Sequence, residues 1–204
     1  MSEQTLRKYD PIAVGGESTV VAEYEADVEA EATYQSESQL EQELIRLLGS
    51  QAYDYLPITS QRQLEENLRK QLEILNKIEF SDAEWKQFFT ERIAGSNDGI
   101  IEKAVRVHED HIQLLRRDDG STKNVTLVDK TNIHNNRLQV INQYEAGESE
   151  GAAKHATRYD VTILVNGLPM VHVELKRRGV DIREAFNQIN RYQRDSFWAG
   201  SGLF

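Results

Sequence analysis

The chain has 204 residues, 39% of them hydrophobic, which is enough for one packed core with a helical annex. It contains no cysteine, which excludes disulfides and thiolate-bound metals and fits a reducing cytosol. No apolar run reaches the roughly 18 residues that a membrane span needs, and the opening residues MSEQTLRKYDP lack the apolar core of a secretion signal. We therefore expect a cytoplasmic protein with no membrane partner.

The formal net charge of −10 is unevenly distributed. Residues 151–204 carry eight Lys/Arg and five Asp/Glu, so this part has a charge of +3 and the first 150 residues have −13. An acidic body argues against a protein that clamps DNA unaided, because binding to phosphates needs a dense basic surface. The basic cluster near the C-terminus still permits one DNA-facing edge, for which we name Arg177, Arg178 and Arg183.

Hydrophobic periodicity predicts three helices in the first half of the chain, each preceded by a serine suited to capping. These are residues 37–48 after Ser36, residues 61–77 after Ser60, and about 82–93 after Ser81. Before them, residues 1–33 are acidic and poor in large apolar side chains. We expect this segment to be a poorly ordered or loosely docked lead-in to a helical part at about 34–95.

From about residue 100 to 204 the pattern indicates a sheet. Two strands are predicted around an Asp-Asp-Gly turn within residues 111–130, and a third over 137–145. A hairpin beginning at Tyr159 follows, and then a helix over about 182–194. This order predicts an α/β or α+β fold. The chain stops soon after the last predicted helix, so we expect a fragment of a longer protein.

The hairpin YDVTILVNGLPMVHVELKRRG is apolar along most of its length, yet it carries Asp160, Glu174 and Lys176 at its open end. A two-residue turn at Asn-Gly would place Asp160 and Glu174 on opposite faces of the sheet. We therefore predict a three-residue loop, Val165 to Gly167, with Gly167 left-handed. In that register Asp160 faces His172, and Glu174 lies diagonally on the same face.

Two carboxylates on one face form an oxygen-rich anionic site that suits Mg²⁺, which takes one or two carboxylates and keeps several waters. The backbone carbonyl of Leu175 could provide a third protein oxygen. Lys176 would then lie where it stabilises an attacking hydroxide or charge on a phosphate. The alternative is that these are solvated strand-end charges with an Asp160–Lys176 pair, since short charged motifs recur by chance.

The following helix adds Gln188 and Tyr192, which share a helix face because they are four residues apart. Together with the hairpin, these residues resemble the PD-(D/E)xK nuclease superfamily, in its RecB-like branch with a QxxxY element. The longer string RYDVTILVNGLPMVHVELKRRGVDIREAFNQINRY is similar to the N-terminal nuclease domain of the restriction (motor) subunit of type I restriction–modification enzymes. The similarity extends upstream through YQSESQLEQELI, DGIIEKAVRVHEDHIQLL and NNRLQVINQYE.

The resemblance implies a restriction-endonuclease-like α/β core, with a mixed sheet flanked by helices and an N-terminal helical extension. It assigns Asp160 and Glu174 to the metal and Lys176 to catalysis, with Gln188 and Tyr192 as supporting residues. An acidic residue of the first helix often lies near the metal in this superfamily; Glu37 is our first choice, and Glu41 or an ordinary solvated glutamate are the alternatives.

The implied activity is Mg²⁺-dependent hydrolysis of double-stranded DNA within a complex that also contains modification and specificity subunits. Family members continue into an ATP-driven translocase, but this chain has no GxxxxGK[ST] loop, so ATP is assigned to domains outside it. We expect the chain by itself to be inactive or very weak. The alternatives are a stand-alone RecB-like repair nuclease and a non-catalytic docking domain with a nuclease-like fold.

The string HEDH, residues 108–111, lacks the spacing of the zinc motif HExxH and is interpreted as a solvated turn. His172 is interpreted as a packed strand histidine.

Overall fold

The computed structural model describes residues 9–14, 20–24, 36–95, 98–146 and 157–176, together with Arg183, Phe186, Asn187 and Leu203. The chain forms two compact units, Met1–Tyr34 and Gln35–Phe204. In the first, strands β1 (Tyr9–Val14) and β2 (Val20–Tyr24) pair antiparallel. The sequence analysis predicted no strand there.

Four α-helices are described in the second unit: α1 Glu37–Ser50, α2 Gln61–Asn76, α3 Asp82–Phe88 and α4 Ile100–His108. The three predicted helices are confirmed, and each of the three predicted serines accepts a hydrogen bond from the backbone of its helix. A π-helical turn, Phe89–Ile93, continues α3, so the pair fills the predicted range. Helix α4 was missed: its sequence IIEKAVRVH is amphipathic, but it follows Gly99 and not a capping serine like those before the other three helices.

The main sheet has four described strands in the order β3-β6-β7-β8, namely Asp54–Tyr55, Leu138–Ala146, Thr157–Val165 and Leu168–Val173. The short β3 runs parallel to β6, and the other neighbours are antiparallel. A separate antiparallel pair joins β4 (Ile112–Arg116) to β5 (Thr122–Thr126) around the predicted Asp-Asp-Gly turn. The predicted α/β class with a mixed sheet is confirmed.

Helix α2 holds the second unit together, because its leucine stripe packs in two apolar clusters. Leu64 packs with Ile141, Tyr144, Tyr159 and Leu164 of the main sheet. Leu68 and Leu72 pack with the aromatic side chains of α3 and with the β4–β5 pair. All three leucines are fully buried, so removing any one of their side chains is expected to cost about 2–5 kcal/mol.

The string HEDH joins the end of α4 to the start of β4 through a turn, as predicted. Of the helix predicted over 182–194, the described residues Arg183, Phe186 and Asn187 are helical. Among the described helices, none has both the length and the apolar character needed to cross a bilayer.

Candidate active site

The site is carried by the β7–β8 hairpin, whose tip is a two-residue turn. Val165 pairs with Leu168, and the intervening Asn166 and Gly167 have φ values of 52° and 83°. Two successive left-handed residues are typical of the type I′ turn, which matches the twist of antiparallel strands. The predicted three-residue loop is therefore wrong, because the Asn-Gly pair satisfies the tightest turn by itself.

A β-bulge in β8 then restores the alignment that the tight turn would have lost. Leu164 pairs with Pro169 but Ile163 pairs with Val171, so Met170 is an extra residue. Pro169 has no backbone N–H, and prolines in sheets occur at edges and bulges for this reason. The extra residue shifts every later position of β8 by one and returns Glu174 to the face of Asp160.

The bulge also corrects the predicted partner of Asp160. His172 pairs with Thr162, and Val173 pairs with Val161, so Asp160 lies level with Glu174 and not with His172. The backbone N–H of Leu175 donates to Oδ2 of Asp160 at 2.8 Å. The two strands are therefore joined at the site by a hydrogen bond to a charged acceptor, a class of bond that stabilises by about 1.5–3 kcal/mol.

Glu174 is a buried carboxylate, with 5% of its side chain exposed, and its Oε1 lies 2.7 Å from Nζ of Lys176. Burial raises the pKa of Glu174, and the negative charge of Asp160 raises it further, which outweighs the opposing effect of Lys176. The Asp160–Lys176 ion pair of the alternative interpretation is absent from the contacts of the described residues, in which Lys176 binds Glu174.

Lys176 remains a cation in this environment. Burial by itself lowers its pKa, but the hydrogen bond and charge of Glu174 more than compensate, so the pKa is raised overall. The carboxylates of Glu37 and Asp160 contribute to the same effect. The open end of the hairpin therefore holds an ammonium group among several carboxylates.

The donor set fits a hard divalent cation. Asp160 and Glu174 offer carboxylate oxygens on one face, and their mutual repulsion in a buried site is relieved by a positive ion. Within the described residues, no group of three or more acidic or histidine side chains is close enough to share a metal. An ion at this site would therefore have two carboxylates and would need waters or backbone oxygens, which is the habit of Mg²⁺.

Helix α1 brings both candidate glutamates toward this side of the sheet, but they differ in environment. Glu37 is exposed and acts on Lys176 through its charge. Glu41 is 8% exposed, and its carboxylate accepts hydrogen bonds from the side-chain amides of Asn142 and Gln143 in β6. Sequence reasoning did not identify these two amides, and no motif in the sequence marks them.

His172 is a packed histidine, as predicted. Its ring stacks on Tyr159 with centroids 4.1 Å apart, and Nδ1 shares a hydrogen bond of 3.0 Å with the hydroxyl of Thr162. Burial lowers the pKa of His172 to about 4, so the ring is neutral at physiological pH.

Four of the predicted residues, Gln188, Tyr192, Arg177 and Arg178, lie outside the described residues. Arg183 is described as exposed and helical. The carbonyl of Leu175 stays a predicted ligand, since the contact recorded at this residue involves its N–H.

Comparison with known proteins gives a consistent result over most of the chain. Residues 34–204 match the model of the family described as type I restriction enzyme R protein N terminus. The chain is 46% identical over 195 residues to the type I restriction enzyme EcoprrI endonuclease subunit of Escherichia coli, covering 95% of this chain and 61% of that protein.

Two staphylococcal proteins are also similar. Identity is 39% over 176 residues to the type I restriction enzyme SsaAORF53P endonuclease subunit of Staphylococcus saprophyticus, and 40% over 177 residues to the SauMSSORF170P endonuclease subunit of Staphylococcus aureus strain MSSA476. Each match covers 84% of this chain but 18% of the relative. The chain thus corresponds to part of these proteins, and by the match over residues 34–204 it belongs to the family of type I restriction enzyme R protein N termini.

Proposed function

We propose that this chain provides the nuclease centre of a type I restriction endonuclease subunit, of the PD-(D/E)xK type, and hydrolyses phosphodiester bonds of double-stranded DNA with Mg²⁺. The observation that carries the proposal is the alignment of Asp160 with Glu174 and Lys176 by the bulge at Met170. The names of the relatives, all endonuclease subunits of type I restriction enzymes, support the same function.

In this proposal Asp160 and Glu174 hold the metal, which when bound activates water and neutralises charge on the phosphate. Asp160 is kept in place by the N–H of Leu175, so its orientation is fixed before any ligand arrives. Lys176 presents its ammonium group at the same face, where it can bind a phosphate oxygen and stabilise the negative charge of the transition state.

The acidic body of the chain supports a division of labour among partners. With a formal charge of −10, the chain is poorly suited to hold DNA by itself. We propose that modification and specificity subunits, with an ATP-driven translocase outside this chain, deliver the DNA in the cytoplasm. Gln188 and Tyr192 would support the site, and Arg177, Arg178 and Arg183 would contact the phosphate backbone.

The test is Asp160→Ala in the full-length subunit reconstituted with its partner subunits. Loss of a metal-binding carboxylate should reduce DNA cleavage at least about 10³-fold, while ATP-driven translocation continues, because the motor would lie in other domains. Cleavage is measured on supercoiled plasmid and translocation by displacement of a labelled third strand.

The matched control is Asp119→Ala, an exposed aspartate in the β4–β5 turn, which should leave both activities unchanged. Cleavage at the wild-type rate by the Asp160 variant would refute the proposed site. Loss of translocation together with cleavage would instead indicate a defect of the whole subunit.

A further inference from the structure

Gln143 lies in the middle of strand β6 with a backbone conformation that strands do not use. Its φ is 52°, in the left-handed region. A non-glycine residue there costs about 1–3 kcal/mol and persists only when surrounding contacts impose it. Backbone strain of this kind is concentrated at functional sites, so the conformation of Gln143 points to a functional role.

The left-handed residue changes which side chains face each helix. Ile141 and Tyr144 both pack in the cluster with Leu64 of α2, although side chains three apart lie on opposite faces of a regular strand. Between them, the adjacent Asn142 and Gln143 both donate to Glu41 of α1. The distortion thus directs two successive amides to the same helix.

The distortion occurs at the level of Asp160. The pairs on either side are Asn142–Val161 and Tyr144–Tyr159, with no register shift, so Gln143 stands opposite Asp160. Strand β7 shows the same change of face, because Tyr159 and Leu164, five apart, share one apolar cluster. Both strands therefore change face over the stretch that contains Gln143 and the proposed catalytic aspartate.

The side-chain amide of Gln143 is held in one orientation. Its nitrogen donates to the buried carboxylate of Glu41, which forces the oxygen to the other side. That oxygen, Oε1, is buried and has no hydrogen-bond partner within the described residues. Leaving a buried acceptor without a hydrogen bond costs about 1–3 kcal/mol. Both the backbone conformation and the side-chain amide of Gln143 therefore lower the stability of the fold.

We propose that Gln143 is a positioning residue for Asp160. In this view its left-handed backbone turns the Gln143–Asp160 pair toward α1, and its amide fastens that helix through Glu41. Glu37, one helical turn before Glu41, is thereby held where its charge reaches Lys176. The inference rests on the proposed function only in taking Asp160 as the residue whose placement matters.

Strand β6 supplies a matched control in Gln139. It is also a buried glutamine, 2% exposed, and its amide pairs in both directions with the amide of Asn67 in α2, at 3.0 and 3.1 Å. Gln139→Ala therefore removes a buried amide from the same strand without touching α1 or Asp160. A purely structural role for both glutamines predicts equal effects.

The experiment compares Gln143→Ala, Gln143→Gly and Gln139→Ala in the 204-residue chain. The first readout is hydrogen exchange at the backbone N–H of Leu175, which is bonded to Asp160 and needs no metal. The second is Mn²⁺ affinity by calorimetry. Glycine relieves the left-handed strain, so Gln143→Gly keeps the fold while it removes the amide.

Both Gln143 variants should lower the protection of Leu175 and the Mn²⁺ affinity about tenfold, the usual effect of removing a residue that orients a ligand. Gln139→Ala should change both by less than about twofold. Wild-type values in the Gln143 variants, or equal losses in the Gln139 variant, would overturn the proposal. Undiminished Mn²⁺ binding by Asp160→Ala would instead refute the metal site, and the Leu175 readout would still test Gln143.

Discussion

The two ends of the β7–β8 hairpin differ in how well their polar groups are paired, and so in what they contribute to stability. At the tip, Asn166 is 1% exposed, donates to Asn136 and to the carbonyl of Leu127, and accepts from the backbone N–H of Arg137. At the open end, the carboxylates of half-buried Asp160 and buried Glu174 repel each other, and Gln143 nearby has a left-handed backbone and an oxygen without a hydrogen-bond partner among the described residues. The tip secures the hairpin, and the open end gives up stability for the arrangement that we propose binds a cation.

The largest expected effect comes from disturbing the tip. Gly167 has a φ of 83°, and a Cβ there would lie 2.6 Å from Cα of Leu68 in the backbone of α2. Gly167→Ala should therefore lower the free energy of unfolding by about 3–5 kcal/mol, through strain and a clash that no side-chain rotation relieves. Chemical denaturation measures the loss.

Gly120 is the control for this substitution. It has the same φ of 83°, but a Cβ there would lie more than 4 Å from any neighbouring atom of the described residues. Gly120→Ala should cost about 1 kcal/mol from backbone strain. If the two variants lose equal stability, the clash with α2 is not what makes the tip rigid.

An intermediate loss of stability is expected when the pH is lowered, because of His172, which lies midway along the hairpin. Its pKa of about 4 in the folded chain lies below the ordinary 6.5, so the unfolded chain binds the proton more readily. The stability that the neutral ring of His172 contributes is complete above about pH 6.5 and is lost as the pH falls toward 4. Between pH 7 and pH 5 the chain should lose about 2 kcal/mol on this account.

His172→Phe keeps an aromatic ring to stack on Tyr159 and removes the titrating group. Thermal or urea unfolding of both proteins from pH 7 to pH 5 measures the difference, and the variant should show the shallower decline. Parallel declines would mean that His172 does not carry the acid sensitivity.

The smallest change in stability is expected from a substitution at the open end, and it is an increase. Because burial and Asp160 raise the pKa of Glu174, its ionised form disfavours folding at neutral pH. Glu174→Gln should raise the Tm by about 1–3 °C and abolish the stabilisation that we expect Mg²⁺ to give to the wild-type chain. Thermal unfolding with and without Mg²⁺ measures both.

Glu43→Gln is the comparison, because Glu43 is also paired with a cation, Arg46, but lies on the exposed side of α1. Its Tm should stay equal or fall slightly, and its response to Mg²⁺ should match the wild type. A lower Tm for the Glu174 variant would show that the open end is optimised for stability like the tip.

The helices and the alternation of the strands could be predicted because they depend on local patterns. Ser36, Ser60 and Ser81 cap the helices that follow them, and Leu64, Leu68 and Leu72 on one face of α2 are fully buried. Helix α4 was missed because no capping serine precedes it, and strand β3 was missed because two residues carry too little pattern. The hairpin needs one extra residue to bring Asp160 and Glu174 to one face; it was predicted in the turn and lies at Met170.

The sequence by itself determined that Asp160, Glu174 and Lys176 belong to one hairpin, because two apolar runs meet at Asn-Gly between them. It also determined that Glu174 and Lys176 share a face, because side chains alternate along a strand. The tertiary structure decided how they meet: through a bulge at Met170 and a bond from the Leu175 amide. It also decided that Asn142 and Gln143 bind Glu41, since these contacts link residues about a hundred positions apart. Local propensity cannot encode such contacts, which form only when a helix packs on a distorted strand.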